Sequence, residues 1–142
     1  MKVTFCGHRQ VLKTEEVRSW LRDSLELLIA EGADTFYLGG YGEFDHLAAS
    51  LLREAKKSHP NIVMTLVLPY LDSTLDASGY DGTLYPPLEN VPRRFAIVKR
   101  NEWMADVADV TVAYVLHSWG GAAQTLRCAQ RKKKRIIQYQ PA

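Results

Sequence analysis

Two unbroken apolar runs constrain this chain more than any other feature: residues 61–68 (NIVMTLVL) and 109–116 (DVTVAYVL). Both are rich in β-branched residues, and neither alternates with polar positions. A strand of this kind is covered on both faces, which is the habit of parallel sheets with a helix layer on each side. Three further short runs read as strands: residues 2–6, 35–38 and 135–139. Between them lie helical patterns. Val17, Trp20, Leu21, Leu25, Leu28 and Ile29 recur at helical spacing, with Thr14 as the expected N-cap and Gly32 as the stop. Phe44, Leu47, Ala48, Leu51 and Ala55 form a second stripe. A third helix is expected from Pro92 through Met104 to Ala108, and a fourth from the Gly121 region to about Lys132. The order β-α-β-α-β-loop-α-β-α-β predicts one α/β domain over residues 1–142, with a mostly parallel five-stranded sheet between two helix layers.

Composition removes several alternatives. The 142 residues are 46% hydrophobic and 24% charged, which are globular values. Eighteen basic against sixteen acidic residues leave a net charge of +2, so no general coat for nucleic acid is expected. Cys6 and Cys128 are far apart, which suits reduced thiols in a cytoplasmic setting rather than a disulfide framework. The start of the chain reads as a strand rather than a leader, and no run approaches a membrane span, so no membrane partner is expected. His8, His46, His59 and His117 have no metal-ligand spacing, and no metal or cofactor is expected; His8 and His117 lie on loops that can converge and are expected to offer polar ligand contacts instead. Trp20, Phe95, Trp103 and Met104 read as core, and Cys6 as an inert buried thiol.

Three strands run into glycine turns: Gly7-His8-Arg9, Gly39-Gly40-Tyr41-Gly42 and Ser118-Trp119-Gly120-Gly121. In an open parallel sheet such turns gather at the carboxyl edge, where ligands bind. Glycine lets the backbone approach a ligand, and the next helix presents free N–H groups that suit phosphate. Neither the dinucleotide fingerprint nor a P-loop is present, because the third glycine and the Lys-Ser/Thr pair are missing.

Four segments in order carry a specific resemblance: Phe5-Cys6-Gly7-His8-Arg9, the run from Leu38 to Asp45 (LGGYGEFD), Arg100-Asn101-Glu102-Trp103-Met104, and the run from Ser118 to Thr125 (SWGGAAQT). Together they resemble the SLOG superfamily, the Rossmann-like group of Smf/DprA and LOG proteins, and its YpsA-like branch in particular. The resemblance implies a sheet order in which the first and fourth strands are neighbours. It also implies a pocket for a nucleotide or nucleotide-derived molecule, acting in a sensor, carrier or sequestering protein, and a homodimer.

On that basis Arg9 or Arg100 is expected to clamp a phosphate, cradled by Gly120, Gly121, Ser118 and Thr125. Glu43 or Asp45 is expected at ribose hydroxyls, Trp119 or Tyr41 on a base, and Gly7, His8, Gly39, Gly40, Gly42 and Asn101 around them. A second reading follows from the LOG members, which look like phosphoribohydrolases that cleave a base from a nucleoside monophosphate. Arg100, Glu43 and Asp45 would then be catalytic, but Leu126 stands where the family places a glutamate, and an apolar side chain cannot activate water. A third reading is a DNA-associated protein using the basic run Arg131-Lys132-Lys133-Lys134-Arg135, by analogy with the Smf/DprA members. That run also suits the negative end of the last helix, and a nucleic-acid partner is not the expectation. The irregular stretch 70–91 is the candidate lid, with Tyr80, Asp81 and Tyr85 as its contact residues.

Overall fold

The computed structural model describes residues 1–141. The strands are β1 (Lys2–Gly7), β2 (Thr35–Leu38), β3 (Val63–Val67), β4 (Gly82–Leu84), β5 (Val110–Tyr114) and β6 (Arg135–Gln138). The helices are α1 (Thr14–Ala30), α2 (Gly42–Lys56), α3 (Ala96–Val107) and α4 (Gly121–Arg131), with a 3₁₀ turn at Arg93–Phe95 ahead of α3. The strands form one sheet in the order β4-β3-β2-β1-β5-β6, and every pairing is parallel.

The sheet has six strands among the described residues, not the expected five. The extra strand, β4, lies inside the stretch read as irregular and pairs through Thr65↔Gly82 to Val67↔Leu84. Three residues, one of them glycine, on a solvent-facing edge show neither alternation nor an apolar run, so no pattern marks them. Asp81, just before β4, accepts from the Met64 N–H at 2.7 Å and pairs with Lys56. Arg53 Nε donates to the Gly79 carbonyl at 3.0 Å. The segment is therefore fastened to β3 and α2.

Alternation along the strands separates two cores. Val3, Phe5, Phe36, Leu38, Val110, Val112 and Tyr114 point to the α1/α2 side and meet Leu21, Leu25, Leu28, Phe44, Leu47 and Leu51. On the other side Tyr37 and Val67 meet Met104 of α3, Cys6 and Ala113 meet Ala123 and Leu126 of α4, and Ala105, Cys128 and Ala129 join α3 to α4. The small side chains of Ala105, Cys128 and Ala129 let α3 and α4 sit close together.

Two local expectations differ. The N-cap of α1 is Lys13, left-handed at φ 52°, and Thr14 is the first helical residue. The Lys13 carbonyl accepts the Val17 N–H at 3.1 Å, so backbone supplies the first turn without a hydroxyl cap. Phe95, read as core, is 46% exposed because it ends the 3₁₀ turn rather than lying inside α3.

Candidate functional site

Strand order reverses between β1 and β5, since the chain builds outward from β1 through β2 and β3 before returning to β5. Such a reversal leaves the two following loops splayed apart at the carboxyl edge, which opens a crevice. A cavity of about 740 Å³ lies there. Gly7, His8 and Arg9 line it after β1, and His117, Trp119, Gly120 and Gly121 line it after β5. Tyr41 and Asp45 enter from the β2–α2 side, Arg100, Asn101 and Met104 from α3, and Thr125 from α4. Gly39, Gly40, Gly42, Glu43 and Ser118 are not brought to its wall.

Asp45 and Arg100 are both buried, at 9% and 2% exposure. Asp45 Oδ2 accepts the N–H groups of Gly39 and Gly40, each at 3.0 Å. Burial pushes its carboxyl up to about 6, although the Arg100 guanidinium and the two N–H groups pull the other way. Arg100 Nη1 donates to the carbonyls of Val67 at 2.7 Å and Gly39 at 3.1 Å, and Nε donates to Asn101 Oδ1 at 2.8 Å. The guanidinium also lies 5.5 Å from the Tyr41 ring centroid. Burial holds the Arg100 pKa below its ordinary value, opposed by Asp45. Its Nη1 is thus spent on backbone carbonyls at the ends of β2 and β3. Arg9, by contrast, is exposed at the cavity and makes no ion pair among the described residues.

Glu43 acts in the scaffold. Its Oε2 accepts the Val11 N–H at 2.7 Å, and its own N–H donates to the Arg9 carbonyl at 2.8 Å. It clips the loop after β1 to the start of α2. The Ser118 carbonyl accepts from Arg127 at 2.8 Å, and Thr125 Oγ1 donates to the Gly121 carbonyl at 2.9 Å. Leu126 is buried on the α4 side of the sheet. Asp45 is the one carboxylate on the cavity wall among the described residues. Cys6, also on that wall, has its thiol pushed up to about 12, mainly by burial, and is a poor nucleophile.

The loop after β5 is ordered by rings. His8 Nε2 accepts the Leu116 N–H at 2.8 Å, which requires a neutral imidazole. His8 stacks on His117 at 4.0 Å between centroids, and His117 stacks on Trp119 at 3.9 Å. Tyr114 meets the edge of His8 at 5.8 Å, and its hydroxyl accepts the Leu12 N–H at 3.0 Å. Nδ1 of His117 is buried without a hydrogen-bond partner. Gly120 sits at φ 92°, a conformation that side chains resist, and so turns the chain into α4. Gly121, the first residue of α4, is not left-handed, and a Cβ there would meet nothing within 4 Å.

His117, Tyr114, Leu12, Leu116 and Ile97 were not singled out as binding residues from the sequence, beyond a polar contact for His117. Position after β5 was a usable signal for Leu116 and His117. Nothing in the spacing marked Leu12 or Ile97.

No family model and no curated protein sequence matches this chain. Solved structures do. The structural-genomics target TM1055 aligns over 95% of this chain and 71% of its own, with a TM-score of 0.65 at 18% identity. DNA processing protein A from Helicobacter pylori, described for its single-stranded DNA binding mode, aligns over 100% of this chain and 66% of its own, at a TM-score of 0.69 and 16% identity. DNA processing protein A (DprA) from Streptococcus pneumoniae aligns over 99% and 50%, at 0.71 and 15%. The chain thus spans half to about seven-tenths of these proteins. At such identities the likeness is one of fold: a Rossmann-like α/β architecture with a parallel sheet. No helix among the described residues is long and apolar enough to cross a membrane.

Proposed function

We propose that this protein binds a nucleotide or nucleotide-derived small molecule in the cavity between the loops after β1 and β5. The observation that carries the reading is the cavity's position and furniture: a crevice at the strand-order reversal, with the start of α4 on one wall and the unpaired Arg9 on the other. The α4 N-terminus has no acidic residue in its first turn, so its N–H groups remain available to an anion. Arg9, exposed at the cavity, is the better phosphate partner than the buried Arg100, whose Nε and Nη1 are already engaged. Asp45 is the carboxylate near enough to the cavity to meet ribose hydroxyls.

Thermal shift and calorimetry against nucleoside monophosphates, NAD, ADP-ribose and ribose 5-phosphate test this. A ligand at a hundred times its Kd raises stability by ~2.7 kcal/mol, well within reach of a melting curve. Binding of a nucleotide, weakened in Arg9→Gln without loss of stability, is the expected result. No shift with any of these compounds would remove the reading. Release of free base in the same mixtures would replace it with the hydrolase reading.

The structural likeness to DNA processing protein A favours a second reading, in which the chain contacts DNA. Its basic run is partly neutralised: Lys132 pairs with Asp106 at 3.3 Å and Arg135 with Glu31. A steep loss of single-stranded DNA affinity with salt, relieved by neutralising Lys132 to Lys134, would support it.

A further inference from the structure

We propose that the outward face of Trp119 is a nucleobase platform, and that the base it takes is a purine before a pyrimidine. The proposal rests on the nucleotide reading above and names the part of the ligand that reading leaves open.

Trp119 is 68% exposed, an unusual amount of indole surface to leave in water. Its other face is already covered by His117 at 3.9 Å with the rings 15° apart. His117 is covered in turn by His8 at 4.0 Å and 16°. The three rings form one short column that begins at the buried Tyr114 and ends in an uncovered face at the cavity rim. The column is fixed at its base by the Leu116 N–H on His8. A flat aromatic group added to the end meets a surface already flat and already held, so little order has to be created on binding.

The exposed surroundings agree. Leu12, Tyr41, Ile97 and Leu116 are also large, exposed and apolar, and all line the same cavity. Apolar side chains gathered at one crevice mark a place that something covers. The unpaired Arg9 and the α4 N-terminus stand in that crevice as well, so the occupant is anionic at one end and flat and apolar at the other. A nucleotide has that division, which neither a lipid chain nor a simple sugar phosphate shares. Purines present more ring to an indole than pyrimidines do, which sets the order of preference.

The test is calorimetry on the full chain with AMP, CMP and ribose 5-phosphate, comparing the wild type with Trp119→Leu and Trp119→Phe. Because Trp119 is exposed, neither substitution is expected to disturb folding, and a melting curve checks this. Expected are tighter binding of AMP than of CMP, a loss of AMP affinity in Trp119→Leu of roughly 5- to 100-fold, and near-complete recovery in Trp119→Phe. Ribose 5-phosphate, which has no ring to stack, should bind all three proteins alike.

Unchanged AMP binding in Trp119→Leu would overturn the platform and leave the nucleotide reading standing. Equal loss of AMP and ribose 5-phosphate would also overturn it, since Trp119 would then only shape the loop. Loss of an oligothymidylate strand with AMP unaffected would assign the face to DNA instead. Failure of the wild type to bind any nucleoside monophosphate, NAD, ADP-ribose or ribose 5-phosphate would end the nucleotide reading and this proposal together.

Discussion

Asp45 and Arg100 hold opposite sides of one residue: the carboxylate accepts the Gly39 N–H at 3.0 Å while the guanidinium donates to the Gly39 carbonyl at 3.1 Å. Both side chains are buried, and each offsets the cost of burying the other. No ion pair within 4 Å joins them, but removing Arg100 leaves the buried Gly39 and Val67 carbonyls without their N–H donor, which costs about 1–3 kcal/mol. Arg100→Met is therefore expected to destabilise the fold by roughly that amount in urea unfolding. Arg100→Met combined with Asp45→Asn should recover part of the loss, through a coupling that adding the single losses does not give. A loss below about 1 kcal/mol in the single variant would show the site to be far more hydrated than its burial implies. Loss of ligand binding in an Arg100 variant is thus no evidence of a phosphate contact unless stability is measured beside it.

Asp45 also ties stability to pH. Its folded value, about 6, lies above the ordinary 3.8 because burial outweighs Arg100 and the two N–H groups. A raised pKa means that the folded state holds the proton more tightly. Its contribution is full below 3.8 and is lost as pH rises through about 6. The neutral amide of Asp45→Asn removes this dependence. The Tm of the wild type minus that of Asp45→Asn is expected to fall between pH 4 and 6 and to level off above. A flat difference across that range would mean that Asp45 titrates as an ordinary carboxylate.

His8 works in the opposite sense. Burial first and His117 second hold its pKa below 6.5. The stability contributed by neutral His8 is present above 6.5 and is lost as pH falls through the lowered folded value. Protonation also removes the lone pair that accepts the Leu116 N–H and charges one ring of the column beneath Trp119. The Leu116 amide should be protected from hydrogen exchange at neutral pH and lose protection, relative to neighbouring amides of β5, on acidification through this window. Protection that persists in His8→Leu would show that the loop does not depend on the imidazole.

How far the sequence could be read shows in Glu43. Its place after Gly42, in the first turn of α2, was legible, as were the two helix layers and the gathering of three glycine loops at one edge. The two apolar runs and the helical stripes demanded that much. Which way the carboxylate turned was not legible, because that depends on a backbone N–H at Val11, thirty-two residues away in sequence. The same holds for Arg100: the residue was singled out, but the carbonyls of Gly39 and Val67 that occupy it belong to other strands. Strand β4 escaped for the local reason that three residues carry no period. Glu43→Gln accordingly tests position rather than chemistry. It should weaken the Val11 hydrogen bond, cost about 1 kcal/mol, and speed exchange at Val11. Any base-releasing activity should survive it, whereas its abolition with the fold intact would return Glu43 to a catalytic role.

Gly7 and Gly121 both line the cavity, but only one of them is required by the protein's own packing. A Cβ on Gly7 would run into the Phe44 ring, which is fully buried in the α1/α2 core and cannot swing aside. Gly7→Ala is expected to cost about 1–3 kcal/mol as an overpacked site, and Phe44→Leu in the same chain should return part of it. A Cβ on Gly121 would meet nothing within 4 Å, and its backbone is not left-handed. Alanine there should leave stability unchanged or raise it slightly, as alanine for glycine within a helix usually does. If a ligand's phosphate approaches the α4 N-terminus, the added methyl stands in its way, and Gly121→Ala should lose nucleotide affinity at undiminished Tm. Unimpaired binding in that variant would move the phosphate away from α4 and toward Arg9 alone.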